Sequence, residues 1–572
     1  MSDEPRLRVV LCWHMHQPEY RDLMRGDYQL PWTYLHAIKD YVDMAAHLEA
    51  QPAARAVLNF APLLLDQIDD YARQVRGFLT NRVALSDPLL AALAGPVLPG
   101  GVDARHALLA TCLRAHERHM IGRFPAYRRL AEMARWLDAH PDVMLYVGDQ
   151  FLVDLIVWYH LAWLGETVRR NDVRVRRLME QAKGYTLHDR RELLAVVGEL
   201  LGGVIGRYRR LAEAGRVELS VTPYGHPILP LLIDLASARE AQPQAALPLA
   251  PAYPGGSERA RRHIEEGLKV FERHFGFRPQ GCWPAEGAVS MPALELLEEA
   301  GLRWAASGQN VYRNSRRPPD AAGKAPPLPD LACLHRPYTV GDGRLACFFR
   351  DDGLSDAIGF RYADWHADDA VGELIHNLEQ VADACEDQAG SVVAIIMDGE
   401  NAWEHYPENA YYFLSTLYRR LSEHPGLELT TFSACLDAGP PAAKLDRLVA
   451  GSWVYGTLST WIGEADKNRA WDILVDAKRA YDEVMAEGRL DASARARAER
   501  QLAVCEGSDW FWWFGDKNPA GTVRDFERLY RLHLANLYQL LGREPPQYLS
   551  QRLSFGGGAP ALGGVMLPGQ NG

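Results

Sequence analysis

The sequence predicts an α/β fold in which parallel strands, covered by helices, close into a barrel. Short β-branched or apolar runs recur along the chain, and most of them are separated by segments with helical periodicity. Glu286 and Asp398 each follow one of these runs. Because a carboxylate at the C-terminal end of a barrel strand faces the active-site mouth, the pattern indicates a site as well as a fold.

The strands are predicted from continuous apolar runs, which are typical of a parallel sheet with both faces covered. They are expected at Leu7–Cys12, Ala56–Phe60, Val217–Val221, Gly281–Trp283, Trp304–Ser307, Leu345–Phe349, Val392–Met397 and Leu427–Phe432. An intervening helix is clearest at Pro292–Ala300, where a proline stands near the start, leucines form one stripe and Gly301 ends the pattern.

Two stretches depart from this alternation and are helical in pattern. The first, at about 73–214, is rich in Arg, Leu and Ala and predicts a helical insertion between barrel strands. The second follows the Ala-Gly-Pro-Pro break at 438–441, with helices expected at Ala470–Glu487, Ala492–Val504 and Val523–Leu541. We therefore expect a catalytic barrel over 1–437, a helical domain over 438–550 that adds aromatic residues to the cleft, and a flexible Gly-rich tail over 551–572.

Composition narrows the class of partner. The 572 residues carry a formal net charge of -12 at pH 7, which argues against nucleic-acid and anionic membrane surfaces, so a neutral partner is expected. The acidic N-terminal segment Met1–Pro5 lacks the features of a secretory signal, and no apolar run is long enough to cross a bilayer, so we expect a cytoplasmic protein. The eight cysteines are scattered singly, which favours reduced thiols over disulfides.

The first strand ends in two histidines, in the order His14-x-His16-Gln17-Pro18. Strand alternation sends both imidazoles to the same side, where they and the Gln17 amide suit the hydroxyl groups of a sugar. A zinc site is the competing interpretation, because His-x-His on a strand can ligate a metal. No nearby Asp or third ligand completes such a site in the sequence, so sugar contacts are favoured.

Glu218 and His226 are further candidates for substrate binding. Glu218 stands in an otherwise apolar strand, where an ionised carboxylate is costly unless it is paired or faces the water-filled mouth. His226 follows in the strand-to-helix loop. The alternatives are an ion pair of Glu218 with an arginine and a helix-capping role for His226.

The two strand-end carboxylates suit different tasks. An indole such as that of Trp283 stacks on a pyranose face while the nearby Glu286 carboxylate attacks the anomeric carbon. Asp398 follows the apolar run Ala-Ile-Ile-Met, which would raise its pKa and keep it protonated as a general acid. Glu400 competes for that acid role.

Other candidates for sugar contacts follow strands or lie in the helical part. They are Asp352, Trp403, Asp509, Trp510 and Trp513. Helix capping is the alternative for the turn around Asp352, and core packing is expected for most of the aromatic cluster at 510–514. The segments around Trp453 and Trp461 suit a sugar cleft or an interdomain core. The proline-rich stretch 239–256 predicts a semi-rigid loop, with Tyr253 as a candidate for an acceptor subsite and a passive lid or dimer contact as the alternative.

Five motifs in order resemble the signature regions of glycoside hydrolase family 57. They are His14-x-His16-Gln17-Pro18, Gly215-x-x-Glu218 with His226, Trp283-x-x-Glu286, Asp398-Gly399-Glu400 and Ser508–Asp516. The resemblance covers roughly residues 7–545 and implies a (β/α)7 barrel, a distorted TIM-like form, followed by a helical bundle. It also implies a retaining mechanism on α-glucans without a metal or other cofactor, with Glu286 as nucleophile and Asp398 as acid/base. Ala285 stands where many members place a proline, a departure that keeps the Trp-to-Glu spacing.

From this resemblance we expect amylase-like cleavage of α-1,4-glucans such as starch, glycogen and maltooligosaccharides. A 4-α-glucanotransferase or a glycogen branching enzyme would use the same carboxylate pair, and the sequence does not distinguish the three. A zinc-dependent α-mannosidase or carbohydrate deacetylase, and a noncatalytic glucan-binding protein, are the alternatives of other classes. The sequence leaves the oligomeric state open.

Overall fold

The computed structural model describes residues 7–317 and 331–558. Within these ranges ten strands form a single sheet. They are β1 (Leu7–Met15), β2 (Ala56–Phe60), β3 (Val217–Val221), β4 (Gly281–Cys282), β5 (Trp304–Gly308), β6 (Tyr338–Val340), β7 (Ala346–Arg350), β8 (Val392–Asp398), β9 (Leu427–Leu429) and β10 (Ala443–Leu445).

Seven of the strands in the described ranges close into a parallel barrel, in the order β1, β2, β3, β4, β5, β7, β8 and back to β1. The closing contact between β7 and β8 pairs Arg350 with Ala394. The other three lie outside the ring: β9 is parallel to β1, β6 is antiparallel to β7, and β10 is parallel to β6. The expected (β/α)7 barrel is confirmed.

Two strand ends differ from the sequence prediction in ways that matter for the site. Strand β1 continues past Cys12 to Met15, so His14 lies within the sheet and not in a loop. The last predicted run ends as a strand at Leu429, because Thr431 caps the amide of Ala434 and a helix starts at Phe432.

Helices α1 (Trp32–His36) and α2 (Val42–Ala50) connect β1 to β2. The predicted insertion lies between β2 and β3 and consists of α3 (Pro62–Asn81), α4 (Pro88–Ala94), α5 (Val102–Thr111), α6 (Pro125–Asp138), α7 (Asp149–Trp163), α8 (Glu166–Asn171), α9 (Val173–Gln181) and α10 (Leu187–Glu213). Local signals explain their starts. Pro62 occupies the first turn of α3, and Thr186 and Asp189 form a reciprocal capping box on α10.

The remaining barrel segments are joined by shorter helices. They are α11 (Leu229–Ile233), α12 (Ala238–Ala241), α13 (Gly256–Phe275), α14 (Met291–Glu299), α15 (Gln309–Arg316), α16 (Leu331–Leu334), α17 (Asp352–Asp356), α18 (Ala367–Ala384), α19 (Tyr411–Glu423) and α20 (Phe432–Ala438). The proline-rich stretch is a loop from Gln242 onward, as expected. Its Tyr253 is buried and donates a hydrogen bond to Glu506, so it forms no acceptor subsite.

The C-terminal region is helical, as predicted, and consists of α21 (Ala465–Glu487), α22 (Ala492–Cys505), α23 (Ser508–Trp513) and α24 (Ala520–Leu540). It is joined to the barrel by a buried ion pair in which Arg259 of α13 donates to both oxygens of Glu506, at 2.8 and 2.7 Å. His263 Nε2 lies 2.7 Å from the same carboxylate.

Part of the predicted tail packs against these helices. Leu553 is buried, and its amide donates to Glu527 of α24. The rest of the predicted tail, 559–572, and the N-terminal residues 1–6 lie outside the described residues. Among the helices of the described ranges, none combines the length and the apolar character needed to span a bilayer.

Candidate active site

The floor of the candidate site is a layer of polar side chains at the C-terminal ends of neighbouring barrel strands. The register of β1 places His14 beside Asn59 of β2 on one side and Asp398 of β8 on the other. His14 Nδ1 lies 2.7 Å from Asn59 Oδ1, and Asn59 donates in turn to Ser220 of β3 at 3.0 Å. Four strands therefore contribute to one polar layer, from which His14 and Asp398 reach the cleft while Asn59 and Ser220 lie buried beneath it.

Glu286 lies in a tight turn just after β4, in the left-handed region with φ 58° and ψ 23°. For a residue with a Cβ this conformation costs about 1–3 kcal/mol and is typical of functional sites. The C-terminal segment holds the turn, because the Trp453 amide donates to the Glu286 carbonyl at 3.1 Å and the Trp453 indole Nε1 donates to Glu286 Oε2 at 2.9 Å. Arg350 covers the Trp453 ring at 4.9 Å.

Asp398 is the last residue of β8 and is partly buried. Asn401 donates to its Oδ2 at 2.9 Å, and the next amide, of Gly399, donates to the carbonyl of His14 at 2.7 Å. These contacts fix the carboxyl group relative to β1, at the lining of the cleft.

Burial raises the pKa of Glu286 to about 8, the charge of Asp398 adds to the effect, and the Trp453 hydrogen bond opposes it. Burial also raises the pKa of Asp398, against the opposing hydrogen bond from Asn401. Both carboxyl groups therefore bind a proton more tightly than an exposed carboxyl group does.

Three imidazoles lie together beside the carboxylates. The ring centroids of His14 and His226 are 5.2 Å apart, those of His14 and His16 are 5.6 Å apart, and His16 stacks on His226 at 3.6 Å. Burial lowers the pKa of His14 to about 3, and burial followed by the two neighbouring imidazoles lowers the pKa of His226 well below its usual value. These two rings are therefore neutral at physiological pH.

The expectation that no third ligand accompanies His14 and His16 was wrong. One ring nitrogen from each of the three histidines lies within 4.8 Å of the others. Because His226 comes from the loop after β3, 212 residues along the chain from His14, spacing in the sequence gave no sign of this contact.

Glu400 completes the inner wall of the cleft. Its Oε1 accepts hydrogen bonds from Gln17 Nε2 at 3.3 Å and from the His16 amide at 3.4 Å, while its buried Oε2 has no hydrogen-bond partner within the described ranges. Burial and the charge of Asp398 raise the pKa of Glu400 well above its usual value. A protonated Glu400 is thus a hydrogen-bond donor facing the same space.

The cleft encloses ≈ 390 Å³, within the range of pockets that bind small ligands. Residues from three parts of the chain line it. The barrel contributes His14, His16, Gln17, Glu286, Asp398 and Glu400; α1 and the insertion contribute Trp32, His36, Arg114, His116 and Trp163; the C-terminal region contributes Trp453, Asp509, Trp512, Trp513 and Phe526. Asp509 bonds His16 at 2.8 Å, and Ser508 bonds His226 at 2.7 Å, so α23 supports the histidines directly.

Two acidic residues predicted to bind substrate lie elsewhere. Glu218 is near the start of β3, at the opposite end of the barrel from the cleft, and accepts hydrogen bonds from Trp304 Nε1 and from the amide and hydroxyl of Ser433. Asp352 is fully buried and pairs with Arg350 at 2.8 Å. Both carboxylates are satisfied within the protein, so neither contacts a sugar in the cleft.

Three of the tryptophans predicted to stack on sugar belong to the core. Trp283 is buried against Gly287. Trp403 donates to the carbonyl of Gly399 and packs on Trp13, and Trp510 donates to the carbonyl of Val504. Of the aromatic cluster on α23, Trp513 does line the cleft, and Trp512 lines it as well.

The sequence reasoning missed the residues that come from α1 and the insertion, chiefly Trp32 and Trp163, whose rings are 5.8 Å apart. It assigned Trp453 no specific role. The sequence around Trp453 shows only that a Gly-Ser pair, which favours a turn, precedes it. Its partner Glu286 lies 167 residues away, so the contact could not be inferred.

The profile of Glycosyl hydrolase family 57 matches residues 10–444. The chain belongs to this family. Its sequence is 24% identical over 413 residues to the 1,4-alpha-glucan branching enzyme TK1436 of Thermococcus kodakarensis. That alignment covers 58% of this chain and 55% of the enzyme, so the chain spans little more than half the length of this curated relative.

Solved structures of other proteins share the fold of this family member. The crystal structure of TK1436, a GH57 branching enzyme, superposes with a TM-score of 0.56 at 16% identity, covering 94% of this chain and 90% of that one. The α-amylase AmyC of Thermotoga maritima gives a TM-score of 0.56 at 14% identity, covering 94% and 93%. The 4-alpha-glucanotransferase of Thermococcus litoralis gives 0.51 at 14% identity, covering 94% and 60%.

Proposed function

We propose that this protein is a retaining enzyme that cleaves α-1,4-glucans, with Glu286 as nucleophile and Asp398 as acid/base. The observation that carries the proposal is the pair itself: two partly buried carboxyl groups line one cleft, and among the described residues each accepts one side-chain hydrogen bond, Glu286 from Trp453 and Asp398 from Asn401. Family membership supports the reaction class.

In the first step the Glu286 carboxylate attacks the anomeric carbon while Asp398 gives its proton to the leaving glycosidic oxygen. The Trp453 N–H stabilises the ionised form of Glu286 before attack. In the second step the Asp398 carboxylate takes a proton from water or from a sugar hydroxyl, whose oxygen displaces Glu286 from the anomeric carbon. Asp398 loses its proton to the leaving sugar in the first step and regains one from the acceptor in the second, so the cycle ends with Asp398 protonated and Glu286 free.

The polar wall of the cleft suits the sugar ring that is being cleaved. His14, His16 and Gln17 offer imidazole and amide groups within reach of hydroxyls, and Glu400 offers a carboxylic O–H. The aromatic rings of Trp32, Trp512 and Trp513 in the cleft lining provide apolar faces for flanking glucose units. The neutral hydroxyl-rich partner also fits the net charge of -12.

Hydrolysis is the primary proposal, and transfer to a second glucan is the alternative. The aromatic wall contributed by α1 and the insertion, with Trp32 and Trp163, favours the alternative because an acceptor sugar needs a stacking surface on its own side of the carboxylates. The names of similar proteins support it too, since they include a branching enzyme and a 4-alpha-glucanotransferase.

We also propose the division into a catalytic barrel over 1–437 and a helical domain over 438–550, and a cytoplasmic location. The aromatic residues that the C-terminal region places in the cleft support the first point. Seven of the eight cysteines, Cys12, Cys112, Cys282, Cys347, Cys385, Cys435 and Cys505, are buried free thiols, which supports the second.

Product analysis tests the proposal. Incubation with maltoheptaose and amylose should give shorter products for hydrolysis, both longer and shorter ones for a glucanotransferase, and new α-1,6 linkages for branching. Proton NMR of the first product should show the α-anomer. Initial formation of the β-anomer would overturn the retaining mechanism, and an absence of any change in chain length or linkage would overturn the proposed activity.

A further inference from the structure

His14 and His16 line the cleft, and His226 is buried against His16; all three are anchored in a way that sugar binding alone does not explain. Each ring uses one nitrogen on a partner outside the cluster: His14 Nδ1 on Asn59 at 2.7 Å, His226 Nδ1 on Ser508 at 2.7 Å, and His16 Nε2 on Asp509 at 2.8 Å. The second nitrogen of each ring is left for the cluster interior.

The proton positions follow from these partners. The Asn59 carbonyl oxygen and the Asp509 carboxylate can only accept, so His14 carries its proton on Nδ1 and His16 carries its proton on Nε2. His14 Nε2 and His16 Nδ1 therefore expose lone pairs. The first is 3.1 Å from His226 Nε2, and the second is buried without a hydrogen-bond partner in the described ranges. Because His14 Nε2 can only accept, the 3.1 Å contact places the proton of His226 on Nε2. Metal binding would move that proton to Nδ1, where the Ser508 hydroxyl can accept it.

Imidazoles whose outer nitrogens are held by a carboxylate, an amide oxygen or a hydroxyl are the usual surroundings of a transition-metal ion, because these contacts fix the tautomer and raise ligand basicity. Three imidazole nitrogens within 4.8 Å of one another match the preferences of Zn²⁺ and its late first-row neighbours. A buried lone pair with no partner is costly, and an ion would satisfy it.

We propose that His14, His16 and His226 form a binding site for a divalent transition-metal ion such as Zn²⁺, and that the bound ion blocks the cleft. This goes beyond the proposed function, in which His14 and His16 contact sugar and His226 has no role. The ion would occupy the space of the sugar hydroxyls, so it acts as an inhibitor that competes with substrate.

The distances between the three rings can be compared with those of a three-histidine zinc site. With Zn–N bonds of 2.0–2.1 Å and near-tetrahedral angles, the ring centroids of a three-histidine site stand about 5 Å apart. The ring centroid of His14 lies at about this distance from those of His226, at 5.2 Å, and His16, at 5.6 Å. His16 and His226 stack at 3.6 Å, so these two rings must separate to bind an ion. His16 is the ring that can move, since Asp509 is its one side-chain partner and 11% of its side chain is exposed.

Cobalt titration tests the site without any substrate. Co²⁺ added to the full-length, chelator-treated protein should bind with one equivalent, give the intense visible bands of tetrahedral coordination, and be displaced by Zn²⁺. His16→Ala and His226→Ala should lose these bands. Asp509→Asn, which removes the carboxylate behind His16, should weaken binding about 10- to 100-fold. His376→Ala, on an exposed helix, is the matched control and should bind as the unaltered protein does.

The outcomes separate cleanly. Absent tetrahedral bands, or bands unchanged in His16→Ala, would overturn the site. His226 is buried with a left-handed backbone, so if His226→Ala fails to fold, His16→Ala and Asp509→Asn decide the result.

The inhibitory role has its own readout, which rests on the proposed function. Zn²⁺ should raise the apparent KM for maltoheptaose without lowering kcat, and a chelator should reverse the effect. Metal binding without inhibition would overturn the blocking role while leaving the site. Loss of activity on chelation with recovery on Zn²⁺ would overturn the blocking role and the metal-free mechanism. If the protein does not act on glucans at all, the cobalt titration still decides the site.

Discussion

The indole Nε1 of Trp453 donates a hydrogen bond of 2.9 Å to Oε2 of Glu286. Trp453 lies in the segment that leads from the barrel into the C-terminal helices, so a residue outside the barrel strands adjusts the charge state of the proposed nucleophile. Arg350 lies over the same indole, and its guanidinium is held by Asp352. The chain of contacts from Asp352 through Arg350 and Trp453 to Glu286 explains why Asp352, predicted to bind sugar, is buried.

Trp453→Phe should slow the reaction and move its pH profile. The nucleophile must be ionised, so activity falls as the pH drops below the pKa of Glu286; losing the donor raises that pKa further and shifts the acidic limb to higher pH. A hydrogen bond to a charged group contributes about 1.5–3 kcal/mol, so kcat/KM near pH 6 should fall about ten- to a hundredfold. The measurement is kcat/KM against pH. Trp512→Phe, which lines the cleft without bonding Glu286, should leave the acidic limb in place; an unshifted limb in Trp453→Phe would contradict the role of the indole.

Glu286→Gln should abolish glucan cleavage and yet stabilise the fold at alkaline pH. The folded-state pKa is about 8 against an ordinary value of 4.5. Between these values the unfolded chain releases a proton that the folded chain retains, so the stability of the unaltered protein falls as the pH rises. The neutral amide avoids this loss. Thermal unfolding should show equal Tm values near pH 4.5 and a higher Tm for the variant near pH 8. If the variant's advantage in Tm over the unaltered protein does not increase from pH 4.5 to pH 8, the raised pKa of Glu286 is refuted.

Asp398→Ala should separate the two chemical steps. An aryl α-glucoside with a good leaving group needs no proton from Asp398, so it should still react with Glu286, but the second step lacks its base. The covalent glycosyl-enzyme should therefore accumulate, and azide, which needs no base, should release it as the α-glycosyl azide. Intact mass spectrometry detects the adduct. Accumulation in the double variant Glu286→Gln, Asp398→Ala would show that Glu286 is not the nucleophile.

Glu218→Gln should affect stability and leave catalysis intact. The carboxylate accepts three hydrogen bonds at the closed end of the barrel, from Trp304 and from two groups of Ser433. An amide keeps one acceptor oxygen and places an N–H against donors, which should cost about 1–3 kcal/mol of unfolding free energy. Urea unfolding and kcat/KM are the two measurements. A tenfold fall in kcat/KM in a stably folded variant would mean that Glu218 influences the cleft after all.

Much of the barrel was predictable because its strands are short, continuous apolar runs that carry their signal locally. The register that sets His14 between Asn59 and Asp398 follows from those runs. Glu218 was misplaced although it is the second residue of the predicted strand Val217–Val221, because the mouth lies at the C-terminal end of a barrel strand and Glu218 is at the other end. Trp283 and Trp403 were misplaced because a buried indole and a sugar-stacking indole look alike in a sequence.

The contacts made by the cleft itself could not be predicted for a different reason. His226 meets His14 across 212 residues, and Asp509 meets His16 across 493. Such convergence depends on how the helices of the insertion and of the C-terminal region fold back over the barrel mouth. Nothing local to either histidine indicates it.

Because Ser508 and Asp509 hold His226 and His16, the cleft is completed late in the synthesis of the chain. During translation the N-terminal parts of a chain fold first, at a synthesis rate of about 5–20 residues per second. The barrel strands leave the ribosome well before α23, so for several seconds the nascent barrel has its carboxylates but lacks Trp453, Ser508 and Asp509. We expect the cleft to gain activity only when α23 has emerged and docked.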